Sequence, residues 1–124
     1  MKFGLKEIKV HFGAFDFIVV CIVGKSDNVE KYINWKFDDK EFSFQEAHRG
    51  YDPMGACYFR KGYVPVIWIP RKPKTPRELA TLSHECIHAC FHLFEWMGSP
   101  INQDTEETLA HAHRFLLQSI LEKA

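Results

Sequence analysis

The sequence predicts an α+β fold in which a mostly antiparallel N-terminal sheet is followed by two helices. Three observations carry this. Val, Ile and Phe crowd residues 7–23 with partial alternation, the signature of one or two strands. Thr75-Pro76-Arg77-Glu78 is a helix start, followed by about six turns of helical periodicity. A second apolar stripe of period 3.6 closes the chain. The order is strands first and helices after, which defines the class. At 124 residues, of which 46% are hydrophobic, the chain is one domain, residues 1–124, with enough apolar surface for a core of its own.

Residues 7–23 supply the first strands. Ser26-Asp27-Asn28 is a turn signal. Residues 29–37 fit a short helix or a strand equally. Asp38-Asp39-Lys40 reads as a turn, and residues 41–44 (Glu-Phe-Ser-Phe) alternate like a strand. Residues 48–55 read as loop. Residues 56–59 and 63–69 form a predicted hairpin joined at Arg60-Lys61-Gly62. Pro65 lacks a donor for the ladder, so its strand is expected at a sheet edge.

The first long helix has Thr75 as N-cap, Pro76 at its first position and Glu78 at its third. It is expected to run to about Met97, with Gly98 past its end and Pro100 beyond. Leu79, Leu82, Cys86, Cys90, Leu93 and Met97 fall on one stripe, the expected core face. His84, Glu85, His88 and His92 fall on the opposite side. The second helix opens near Asp104-Thr105-Glu106-Glu107, with acids in the turn where the helix dipole favours them, and ends near Glu122. Leu109, Ala112, Leu116 and Ile120 are its apolar stripe.

Lys plus Arg and Asp plus Glu both number 16, so the chain lacks the basic excess of a nucleic-acid binder. The apolar run 15–23 is interrupted by Asp16 and is too short to span a bilayer. Residues 1–7 lack the apolar stretch and cleavage site of a secretory signal. The expectation is a cytoplasmic protein with reduced cysteines. Cys21, Cys57, Cys86 and Cys90 are then core thiols rather than disulfides. The aromatic side chains Phe37, Phe42, Phe44, Trp68, Phe91 and Trp96 are read as core.

His84-Glu85-Cys86-Ile87-His88 is the feature that points most directly to a chemistry. Residues four apart on a helix share a face, so two imidazoles can hold one Zn2+ with a carboxylate beside the first. A catalytic zinc site takes three protein ligands and leaves one position open. His92 continues the series but lies about 12 Å along the axis from His84, too far to join them. The third ligand is expected from the second helix. Glu107 is preferred, four residues before His111 on one face, with Glu106 as its rival.

The pair HECIH and Glu107-Thr108-Leu109-Ala110-His111 resembles the gluzincin branch of zinc metallopeptidases. It is closest in size to minimal single-domain members and to ImmA/IrrE-like and phage-encoded HExxH proteins. The resemblance covers roughly residues 63–120. His111 departs from the Asp or Asn common at that place in the family. The resemblance implies a zincin-like fold, with residues 64–69 as the edge strand of the cleft. It also implies His84, His88 and Glu107 as zinc ligands, and Glu85 as general base on a zinc-activated water that hydrolyses a peptide bond in a peptide or protein substrate. His48, Tyr51, His111, His113 and Arg114 are candidates to stabilise the oxyanion. Two alternatives remain: a zincin-fold binding or regulatory protein without catalysis, and a structural zinc protein with four closed ligands.

Overall fold

The computed structural model describes residues 2–38, 54–59 and 64–124. The predicted strand at 41–44, the turn at 60–62, and His48 and Tyr51 lie outside the described residues. The chain is α+β, with a four-stranded mixed sheet followed by helices.

Strands β1 (Lys6–Phe12) and β2 (Phe17–Val23) form an antiparallel hairpin through a 3-10 turn at Gly13–Phe15. Helix α1 (Ser26–Phe37) follows, and the ambiguity at 29–37 resolves as helix. It is closed by Asp38 in the left-handed conformation. Strands β3 (Ala56–Tyr58) and β4 (Val66–Ile69) pair antiparallel, and β4 lies parallel to β2. Helices α2 (Pro76–Met97) and α3 (Glu106–Lys123) complete the chain.

The sheet order is β1-β2-β4-β3, which corrects one expectation. β4 is an interior strand, and β3 is the one beyond it. Pro65 misled because its place matters more than its presence. It stands just before β4, where a missing N–H breaks no rung of the ladder, and its carbonyl still accepts a hydrogen bond from Val20 N at 3.0 Å.

β2 and β4 are almost wholly apolar because helices cover both faces of the sheet. On one face Val19, Cys21, Ile67 and Ile69 join Ile8, Val10 and Phe12 of β1 beneath α2 and α3. On the other, Val20, Ile22, Val66 and Trp68 pack with Val29, Tyr32, Ile33 and Phe37 of α1. α1 thus interrupts the expected order of strands before helices. β1 buries only alternate residues, which is why it alternates cleanly in sequence.

The core stripe of α2 is Leu82, Cys86, Ala89, Cys90, Leu93 and Phe94. Leu79 was expected there but is exposed, lying in the first turn at the N-terminal end of the stripe. Phe91 and Trp96 are likewise exposed rather than core. Trp68 and Phe37 are buried as expected. The stripe of α3 buries Ala112, Leu116 and Ile120. No helix among the described residues is long and apolar enough to cross a membrane.

Candidate metal centre

The site depends first on how α2 begins. Thr75 Oγ1 accepts from Glu78 N at 3.1 Å, satisfying one of the open amides of the first turn. The buried Glu78 carboxylate accepts from Arg71 Nε at 2.8 Å, from Arg71 Nη2 at 3.3 Å and from Lys74 N at 3.3 Å. The Arg71 guanidinium holds this carboxyl below the usual range. The loop after β4 is thereby tied to the helix, which fixes its rotation over the sheet. At the other end Gly98, at φ 69°, donates to Glu95 O, and Ser99 N donates to Phe94 O at 2.9 Å. This is the Schellman closure that a left-handed glycine permits.

With Cys86 and Cys90 pointing into the core, His84 and His88 project to solvent. Their rings lie edge to face with centroids 4.8 Å apart, and their Nε2 atoms are 3.2 Å apart. Two Zn–N bonds of about 2.05 Å at a tetrahedral angle would place such nitrogens about 3.3 Å apart. The pair therefore fits the bite of one tetrahedral metal.

Glu85 lies on the flank of α2 that faces β3. Burial pushes its carboxyl above the ordinary value, and the charges of His84 and His88 counter this in part. β3 comes close because residue 55 is glycine. A Cβ there would lie 2.9 Å from Thr81 Cγ2, 3.3 Å from the Trp68 carbonyl oxygen and 3.6 Å from Glu85 Cγ. Cys57 follows with its side chain towards α2, and Phe59 then stacks on His92. The centroids of that stack are 3.8 Å apart, with 17° between planes. Burial lowers the pKa of His92, and its buried Nδ1 has no hydrogen-bond partner among the described residues. His92 therefore lies on the β3 side of α2, one turn beyond His88 and stacked on Phe59.

All four cysteines are free, and three are fully buried. Burial first, then neighbouring Glu85, pushes the Cys57 thiol up to about 12, and burial does the same to Cys90.

α3 packs against α2 through His113, whose Nε2 lies 3.1 Å from Ser83 Oγ and 3.0 Å from the Ser83 carbonyl oxygen. This contact shows which side of α3 faces α2. At 100° per residue, Glu106 is about 20° from His113, Glu107 about 120° and His111 about 160°. Glu107 is 82% exposed, and its Oε1 lies 3.2 Å from His111 Nε2, as their four-residue spacing predicts. Among the described residues no group of three His, Cys, Asp or Glu side chains converges in metal-binding geometry. The structure thus brings His84, His88 and Glu85 together and leaves Glu107 apart from them, beside His111. Of the oxyanion candidates, His113 is engaged with Ser83, while His111 and Arg114 are exposed.

Gly55, Phe59 and Ser83 were not singled out from the sequence. Gly55 carries the one usable signal: a glycine beside an apolar run marks a close approach of backbone. Comparison of the chain with protein families, with curated proteins and with solved structures gives no match.

Proposed function

We propose that the chain is a zinc-dependent metallopeptidase with His84 and His88 as ligands, a carboxylate from the first turn of α3 as the third, and Glu85 as general base. The observation that carries this reading is the 3.2 Å separation of the two Nε2 atoms beside a half-buried Glu85. Glu107 is the third ligand in the reading from sequence. The His113–Ser83 contact favours Glu106, which shares the α2-facing side of α3.

Zinc, when bound there, supplies a Lewis acid for the scissile carbonyl and lowers the pKa of an attacking water. Glu85 takes the proton of that water on a carboxylate oxygen and returns it to the leaving amine. A carboxyl raised by burial suits both steps, because its pKa moves towards the working pH. The exposed imidazoles leave the ligand side of α2 open to a peptide chain.

The test is zinc-loaded protein against a peptide library, wild type beside Glu85→Gln. The expected result is retention of zinc and a fall in hydrolysis of about 10²–10⁴-fold in the variant. Full zinc loading with no hydrolysis by wild type would leave the binding-protein alternative standing instead.

A further inference from the structure

We propose that the groove between α3 and the loop after β4 receives a second copy of this chain, with α3 packed antiparallel on α3 across a two-fold axis at Gln118.

The groove has a volume of about 700 Å³. Lys72, in the loop between β4 and α2, forms one wall. The other wall is α3, through Arg114, Leu117, Gln118, Leu121 and Glu122. At 100° per residue, Arg114, Gln118 and Glu122 make one ridge within about 80° of arc. All three are exposed. Leu117 and Leu121 adjoin this ridge on the side of His113 and give the groove a half-buried apolar floor. The ridge lies opposite the core stripe of Ala112, Leu116 and Ile120, so the core does not explain its order of charges.

That order chooses the occupant. Arg114 is a cation, Gln118 is neutral and Glu122 is an anion, each four residues from the next. Arg114 and Glu122 stand about 12 Å apart along the axis, so they cannot pair within one helix. Among the described residues Arg114 has no ion-pair partner, and Glu122 Oε1 accepts from Gln118 Nε2 at 3.0 Å. A segment of one sign in this groove would match one end of the ridge and oppose the other. The same helix running the opposite way matches both ends. With Gln118 facing Gln118 of the second copy, Arg114 of each copy meets Glu122 of the other, and Leu117 of each meets Leu121 of the other. Rows spaced by four residues are the ones that interdigitate in the commonest class of helix packing. The contact closes after two copies, as an isologous interface must. Two helices crossing over about three turns bury less than the roughly 1,600 Å² of a standard interface, so dissociation is expected in the micromolar range.

Sedimentation equilibrium of the full chain between about 1 and 200 µM tests this. Wild type is expected to approach twice the 14.5 kDa of the chain at the upper end. Arg114→Glu and Glu122→Arg each set like charges together at both contacts, and each is expected to weaken association about tenfold or more. The double variant restores both contacts with their signs exchanged and is expected within about threefold of wild type. The two side chains are out of reach of each other within one chain, so that recovery comes only from contact between copies. Circular dichroism checks that each variant keeps its helix content. Gln118→Cys reads the axis without touching a charge. With oxidised glutathione as electron acceptor it is expected to form a disulfide-linked dimer faster than Gln103→Cys, which precedes α3. A monomer throughout, a dimer that withstands both single exchanges, losses that the double variant does not restore, or equal cross-linking at both cysteines overturns the proposal and leaves the groove to another occupant.

Discussion

The Nε2 atoms of His84 and His88 face each other at 3.2 Å across one turn of α2. No third metal-binding side chain joins them among the described residues. In the metallopeptidase reading proposed above, two imidazoles at that spacing hold one ion between them. Replacing either one should therefore remove most of the affinity. We expect His84→Ala and His88→Ala each to weaken zinc binding by about a hundredfold or more. Competition with a chromophoric chelator measures it, and binding within threefold of wild type would exclude the pair as ligands.

The third ligand divides two adjacent residues that point about 100° apart. If Glu106 coordinates, Glu106→Ala loses zinc and Glu107→Ala does not. If Glu107 coordinates, the reverse holds, and the Glu107–His111 contact must open on binding. His111→Ala should then tighten or leave unchanged the zinc affinity of the Glu107 site. Metal analysis of the three purified variants decides, and full occupancy in both glutamate variants would place the third ligand elsewhere.

Gly55 makes a steric claim of its own. Gly55→Ala puts a methyl 2.9 Å from Thr81 Cγ2, which should cost about 1–3 kcal/mol. Thr81→Ser removes that methyl and keeps the hydroxyl that donates to Arg77 O. The double variant should recover part of the loss, since the 3.3 Å approach to the Trp68 carbonyl remains. Urea unfolding of the four proteins gives the coupling. Strict additivity would show that the contact does not limit how closely β3 approaches α2.

The start of α2 should govern acid stability. Arg71 holds the Glu78 carboxyl below its ordinary value, so between the two values the unfolded chain binds this proton more tightly. That stabilisation is present above the unfolded value and is lost as the pH falls through the folded one. Glu78→Gln should therefore flatten the fall in melting temperature between about pH 5 and pH 3. Thr75→Ala should cost about 1 kcal/mol at all pH values, because the capping hydroxyl does not titrate. Parallel melting curves with acid limbs of equal slope for wild type and Glu78→Gln would remove the Arg71–Glu78 pair from this role.

Local signals were legible where one or two neighbouring turns decide the outcome. Thr75, Pro76 and Gly98 bound α2 because capping is an interaction between residues at most a few positions apart. His84 and His88 share a face because helical geometry alone puts them there. β1 could be read from its alternation. β4 could not be placed from Pro65, because whether a missing N–H matters depends on which strand lies alongside and how far that pairing extends. Leu79, Phe91 and Trp96 carry the right hydrophobicity for a core but are exposed, and for Phe91 the helical period already tells why: it lies about 180° round α2 from the buried Leu82.

The sequence by itself determined the α+β class, the limits of α2 and α3, the shared face of His84 and His88 on α2 and the Glu107–His111 pairing. All of these follow from spacing along one element. Tertiary structure alone decided that β3 rather than β4 lies beyond the sheet interior, that Gly55 lets this strand press against Glu85, and that Phe59 stacks on His92. It also decided that the side of α3 facing α2 is the side of His113 and Glu106. Each of those is a contact between residues distant in sequence, set by strand pairing and by which faces of the sheet the helices cover, and neither is encoded in any local period.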